Sequence, residues 1–258
     1  PLDAHVAYAL ATQVSQALSA AHRKDLAHLR LTPATVLRTG PGQFRIRFWA
    51  NYTHSSMQIG AIRVAGEGLQ TPNRFSWSGW HYFTPLMGPF PSGEVNVGSW
   101  QPDPSWDGRR AWWVYQDLID AWLYVRTLVP PGVPVGSRHP DGVTAEWEPG
   151  STANTEYNIG QRRIKLEDKI ANSAHIVLHE YGHAVMHNVY GSIPNAGCPS
   201  IHWANVASAA NCAWVEGWAS FFSIAVTHDP LYKGACSTLP CSPAAIDYEN
   251  RHVPGSPW

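Results

Sequence analysis

The apolar and polar positions change period several times along the chain. Residues Leu2 to Leu29 place Val6, Leu10, Val14 and Leu18 at fourfold spacing, which predicts a helix ending near Leu31-Thr32-Pro33. From Phe44 the period becomes two. Phe44, Ile46 and Phe48 alternate with Arg45, Arg47 and Trp49 as a half-buried strand, and Ile59 to Val64 predicts another. The two arginines read as a solvated strand face rather than a binding stripe. Thr71 to Asp107 holds too many Pro and Gly residues for a helix and too many aromatics for a disordered linker, so short strands and ordered loops are expected.

Helical spacing returns at Trp112 to Leu128, where Val114, Leu118, Trp122 and Val125 share a stripe that Pro130-Pro131-Gly132 terminates. Val133 to Val135, Val143 to Trp147 and Ile164 to Leu166 read as short strands divided by turns. Two apolar helices follow. One runs from Ala174 to Tyr190, with Asn172 or Ser173 to cap it and Gly191 to end it; the other is centred on Trp214 to Phe222. From Thr227, with Pro230, Gly234, Pro240 and Pro243, the pattern is that of a loop. The whole predicts an α+β chain. A helix and a β-rich accessory region span residues 1–105, and a second unit of short mixed strands and paired helices spans 106–258, with the boundary at Gln101-Pro102-Asp103-Pro104.

Composition narrows the function classes. The 258 residues carry a formal net charge of -1 with 14% charged residues, so no electrostatic footprint for nucleic acid exists. No apolar run approaches the length needed to span a bilayer, and the N-terminal Pro1-Leu2-Asp3 is not a signal peptide. Cys198, Cys212, Cys236 and Cys241 cluster late in the chain without CxxC spacing, which favours disulfides over a thiolate metal site. Local loop closure selects Cys198 with Cys212 and Cys236 with Cys241, and disulfides imply a secreted or extracytoplasmic setting. Trp77, Trp80, His81, Tyr82, Phe83, Trp100 and Trp106 fit aromatic packing better than a sugar platform.

The chemistry concentrates in His179-Glu180-Tyr181-Gly182-His183. On a helix of about 3.6 residues per turn, His179 and His183 project from one face and can reach a single metal ion. Glu180 lies one step round, placed to take a proton from a metal-activated water. Trp214 to Phe222 contains one isolated carboxylate, Glu216, whose charge is costly to bury unless a cation compensates it. His175 and His187, one turn either side of the pair, lie too far along a straight helix to share the ion and read as supporting or solvent-facing groups.

HExxH followed one helix later by Glu216-Gly217-Trp218-Ala219 resembles the gluzincin zinc metallopeptidases, the group that includes thermolysin. The resemblance covers roughly residues 112–222 and is specific at four positions. It implies a zincin-like catalytic domain and one catalytic Zn²⁺ held by His179, His183 and Glu216. It further implies Glu180 as general base, a peptide or protein substrate, and an edge strand that pairs with the substrate, for which Gln161 to Leu166 is the assigned segment. Met186 and the lack of a third histidine fit metzincins poorly. Thermolysin-like enzymes carry an aspartate where this chain has Ser220, so support for a ligand histidine is expected from elsewhere. The oxyanion donor is open among His228, Tyr232 and Tyr248. A zinc hydrolase of a non-peptide amide or ester is the rival enzyme, and a non-catalytic zincin-fold binding protein is the rival class; intact Glu180 argues against the latter.

Overall fold

A computed structural model describes residues 35–40, 43–49, 51–52, 62–65, 81–83, 109–128, 143–152, 154–194, 198, 209–234 and 245–248. The expected helix at Leu2 to Leu29, the strand at Val133 to Val135 and the Cys236 and Cys241 pair lie outside these residues. The described part is α+β: ten strands in three small sheets and three α-helices. β1 (Thr35–Gly40), β2 (Gln43–Trp49) and β5 (His81–Phe83) form an antiparallel sheet in the order β1-β2-β5.

The sheet beside the helices is mixed. Its members are β3 (Asn51–Tyr52), β4 (Ile62–Ala65), β6 (Thr144–Glu146), β7 (Glu156–Asn158) and β8 (Arg163–Lys165), in the order β3-β4-β6-β8-β7. The central β4, β6 and β8 are parallel, and β3 and β7 are antiparallel at the margins. Val64 pairs with Ala145, so residues on both sides of the expected boundary near 105 share one sheet. The segment assigned as the edge, Gln161 to Leu166, instead lies inside: β8 is flanked by β6 and β7, and the edge is β7. Glu156-Tyr157-Asn158 is too short and too polar to announce itself by period.

α1 (Arg109–Leu128) and α2 (Ala174–Tyr190) pack together, and α1 also lies against β4. Val114, Leu118, Ile119, Ala145, Trp147, Ile164, Leu166, Val177, Leu178 and Tyr181 are the buried heart of this layer. Each large apolar side chain so buried contributes about 1.5–3 kcal/mol relative to exposure. Some polar groups at the rim are paired. Trp147 Nε1 donates to the carbonyl of Asp168 at 3.1 Å, while Arg110 lies 5.0 Å from the Trp147 ring and 2.7 Å from the Asp168 carboxylate.

α3 (Ala210–Thr227) crosses α2 closely, then leads to an antiparallel pair, β9 (Leu231–Lys233) with β10 (Ala245–Asp247). The sequence reads as loop here. Strands of three residues cannot show alternation, and the prolines around them dominate the local signal.

Candidate metal centre

α2 is held at both ends by the residues the sequence offers. Ser173 Oγ accepts from the Ile176 N–H at 3.4 Å and donates to the Lys233 carbonyl at 2.7 Å, tying the helix start to β9. Gly191 ends it in the left-handed region at φ 74°. His179 and His183 stand one turn apart with ring centroids 4.8 Å from each other, edge to face.

α3 buries Cys212, Val215, Ala219, Ser220, Phe222 and Ser223, half-buries Glu216, and leaves Trp214 and Phe221 exposed. Small residues on the inner face let the helix axes approach, and Gly182 completes the fit: a Cβ there would sit 3.0 Å from Ala219 Cα. Trp218 Nε1 donates to the Gly182 carbonyl at 3.3 Å across the same crossing, and Tyr181 stacks on Phe222 with centroids 6.0 Å apart. The Cys198–Cys212 disulfide ties Cys198 to the first turn of α3.

The crossing brings His179, His183 and Glu216 together, one ligand atom from each lying within 4.8 Å of the others. Glu216 Oε2 is 3.0 Å from His179 Nε2 and 3.5 Å from His183 Nε2. Two ligands of one tetrahedral zinc, each about 2.0–2.1 Å from the ion, stand roughly 3.3 Å apart, so the donors suit that ion in type and the two Glu216 separations match it, while the set as a whole spans up to 4.8 Å. Electrostatics point the same way. Burial works to raise the Glu216 carboxyl, but hydrogen bonds from His179 and His183 and their charges outweigh it and hold the group well below the usual carboxylate range. Burial works to lower His183, but the hydrogen bond to Glu216 and the charges of Glu180 and Glu216 raise it. The pocket favours positive charge between these three side chains.

Glu180 is buried, at 8% exposure, and its field acts on both His183 and Tyr232. Of the three candidate oxyanion donors, Tyr232 is the one beside the site. Its ring is 6.4 Å from that of His179 and 5.4 Å from that of His175. Burial, then Tyr248, Glu180 and Glu216, push its hydroxyl pKa up, so it stays a proton donor. Tyr248 packs on Tyr232 at 5.9 Å, and His228 is an exposed left-handed cap at the end of α3.

Two expectations need correction, and one alternative is decided: of the two readings left open for His175 and His187, facing solvent is excluded, since both are buried, His175 against Tyr232, and His187 Nδ1 is 3.0 Å from the Tyr157 hydroxyl on β7. Support for His179 does not come from elsewhere. Ser220 itself supplies it, with Oγ 3.2 Å from His179 Nδ1. The edge strand next to α2 is β7, and Tyr157 is the residue that joins them. A departure from a motif signals only that the usual group is missing; whether the replacement reaches depends on how closely the helices cross.

Two helices bring two imidazoles and a carboxylate to one point, with a further carboxylate alongside, and these three side chains could hold one metal ion. Residues 136–239 match the family model of the mycolysin C-terminal domain, a domain of thermolysin-like metallopeptidases. The match encloses α2, α3 and β9 but covers less than half of the chain. No curated protein and no solved structure matches the chain. Among the described residues no helix is long and apolar enough to cross a membrane.

Proposed function

We propose that the protein is a zinc metallopeptidase of the gluzincin type that works outside the cytoplasm. The observation that carries this reading is the convergence of His179, His183 and Glu216 within 4.8 Å, with Glu180 buried beside them. The match to a domain of thermolysin-like metallopeptidases and the Cys198–Cys212 disulfide agree with it.

His179, His183 and Glu216 would hold the ion. When bound, zinc supplies Lewis acidity, polarising a substrate carbonyl and making a water molecule acidic near neutral pH. Glu180 accepts the proton of the attacking water and passes it to the departing amine nitrogen. The Tyr232 hydroxyl, kept protonated, donates to the oxygen that gains negative charge as the carbonyl becomes tetrahedral. β7 offers its outer edge to an extended peptide, whose main chain would add to the sheet beside α2.

The test is Glu180→Gln. It should keep one zinc per chain, measured by metal analysis, and lose about 10²–10⁴ of peptidase turnover. Wild type that holds zinc yet cleaves no peptide in a broad panel would remove the peptidase reading.

A further inference from the structure

Arg162 has no part in the reading above. It stands in the turn between β7 and β8, where the Gln161 N–H donates to Asn158 Oδ1 at 2.9 Å, and it takes the left-handed conformation at φ 51°. Glycine, asparagine or aspartate fits that conformation more cheaply than arginine, so the turn alone does not explain the side chain. The residue is exposed, and its guanidinium makes no hydrogen bond or ion pair among the described residues. Its neighbours on the hairpin do: Arg163 pairs with Glu146, and Lys165 lies 3.4 Å from Glu156. The remaining lysines and arginines with described side chains are paired as well.

The groups that feel its charge locate it. Side chains alternate between the faces of a strand, so Arg163 and Lys165 look away from α2 while Tyr157, paired with Ile164, looks toward it. Arg162 acts on the α2 side. Burial lowers the His187 pKa and the Arg162 charge lowers it further; burial raises that of the Tyr157 hydroxyl and the same charge opposes it. Tyr157 and His187 meet at 3.0 Å, one turn beyond His183, whose charged neighbours are instead Glu180 and Glu216. Arg162 therefore stands at the end of the groove between β7 and α2 that lies away from the metal donors. One helical turn is about 6 Å, or roughly two residues of extended peptide.

We infer that Arg162 is a specificity-determining residue, binding a carboxylate of the peptide laid along β7 at a point two or more residues from the bond that is cut. The inference rests on the peptidase reading and deepens it by naming the substrate class. A guanidinium presents a planar fork that meets a carboxylate with two parallel hydrogen bonds. Glu156, the acid of β7, stands at the opposite end of the strand against Lys165. The carboxylate can come from an acidic side chain or from the chain end. Antiparallel addition to β7 brings the amino-terminal half of the peptide to the turn, and parallel addition brings its carboxyl terminus.

The experiment measures kcat/KM of zinc-loaded wild type, Arg162→Gln and Arg162→Gly on a fluorogenic peptide. Glu or Gln is walked through the positions on both sides of the cleaved bond, and the C-terminus is left free or amidated. Wild type should prefer Glu over Gln at one position, or the free over the amidated terminus, by about tenfold, mostly through KM. A Glu effect assigns the ligand to an acidic side chain, and a terminus effect assigns it to the chain end. Both variants should lose the preference, keep their zinc, and cleave the amidated Gln peptide as fast as wild type. Arg162→Gly should also melt at or above the wild-type temperature, because glycine takes φ 51° without strain, so its lost preference is not lost folding. No preference for a carboxylate in any register, or a preference that survives Arg162→Gln, overturns the inference and leaves the peptidase reading standing. Wild type that cleaves none of these peptides removes the peptidase reading; equilibrium binding of the same peptides then decides, and equal affinity for the carboxylate and amide forms overturns the inference too.

Discussion

Replacing Gly182 with alanine adds one carbon where α2 and α3 touch. That carbon would lie 3.0 Å from Ala219 Cα, 3.2 Å from Phe222 Cβ and 3.3 Å from the Ala219 carbonyl oxygen. Two of the three are backbone atoms and cannot rotate away, so the helices must part by a few tenths of an ångström. Overpacking of this kind costs about 1–3 kcal/mol. Against it stands the helix propensity of alanine over glycine, about 1 kcal/mol in the other direction. The balance is a net loss of about 0–2 kcal/mol, and at roughly 2–4 °C per kcal/mol for a chain of this size the melting temperature should fall by a few degrees. The effect on the centre should exceed the effect on the fold. Glu216 lies three residues before Ala219 on the displaced helix, and metal–ligand distances tolerate only about 0.2 Å. Chemical denaturation of the metal-free protein and chelator competition for zinc measure the two effects separately. A Gly182→Ala protein more stable by the full ~1 kcal/mol of helix propensity, with unchanged zinc affinity, would refute the claim that this contact sets the helix spacing.

Three other outcomes are expected. Tyr232→Phe should lower turnover by about 10²–10³ with little change in KM or in zinc content, since it removes one donor to the developing oxyanion; an equal loss in Tyr248→Phe alone would reassign the donor. Replacing Cys198 and Cys212 together by serine opens a loop of 14 residues and should cost roughly 3 kcal/mol of stability in denaturant unfolding. A cost near zero would show that the bond adds nothing to the stability of the fold. Burial lowers the His175 pKa from 6.5, Asp229 opposing and Lys233 reinforcing, so the unfolded chain binds this proton more readily. His175 therefore leaves stability intact above about pH 6.5 and withdraws it as pH falls below that value, and in the metal-free protein His175→Gln should show a shallower loss between pH 7.5 and 5 than wild type; parallel curves would discard the assignment.

The most legible part of the fold was α2, read from Ala174 to Tyr190, because a serine cap and a terminal glycine mark both ends chemically. α3 extends further at both ends than the segment around Trp214 to Phe222 suggests. Its first turn follows Ala209, which makes no side-chain cap, and its apolar residues fall on the exposed face as well as the buried one. The pairing of His179 with His183 follows from helical spacing, and Glu216 from being a lone carboxylate among apolar neighbours. Tyr232 and Ser220 needed coordinates. Tyr232 reaches the site through a two-stranded turn-back whose three-residue strands carry no period, and Ser220 is useful only because Gly182 and Ala219 let the helices close. Sequence spacing reports which residues share a face of one element; it carries little about the distance between two elements.

The parallel pairing of Val64 with Ala145 has a consequence for how the chain comes to be folded. Roughly eighty residues separate the two partners, so the middle of the five-stranded sheet cannot zip up while the early segment is emerging from the ribosome; it must wait for β6 and then β8. Until then β4 has an unsatisfied flank, and a polypeptide severed near residue 105 would leave β6 with the same bare side, open to adhesion by a neighbouring molecule.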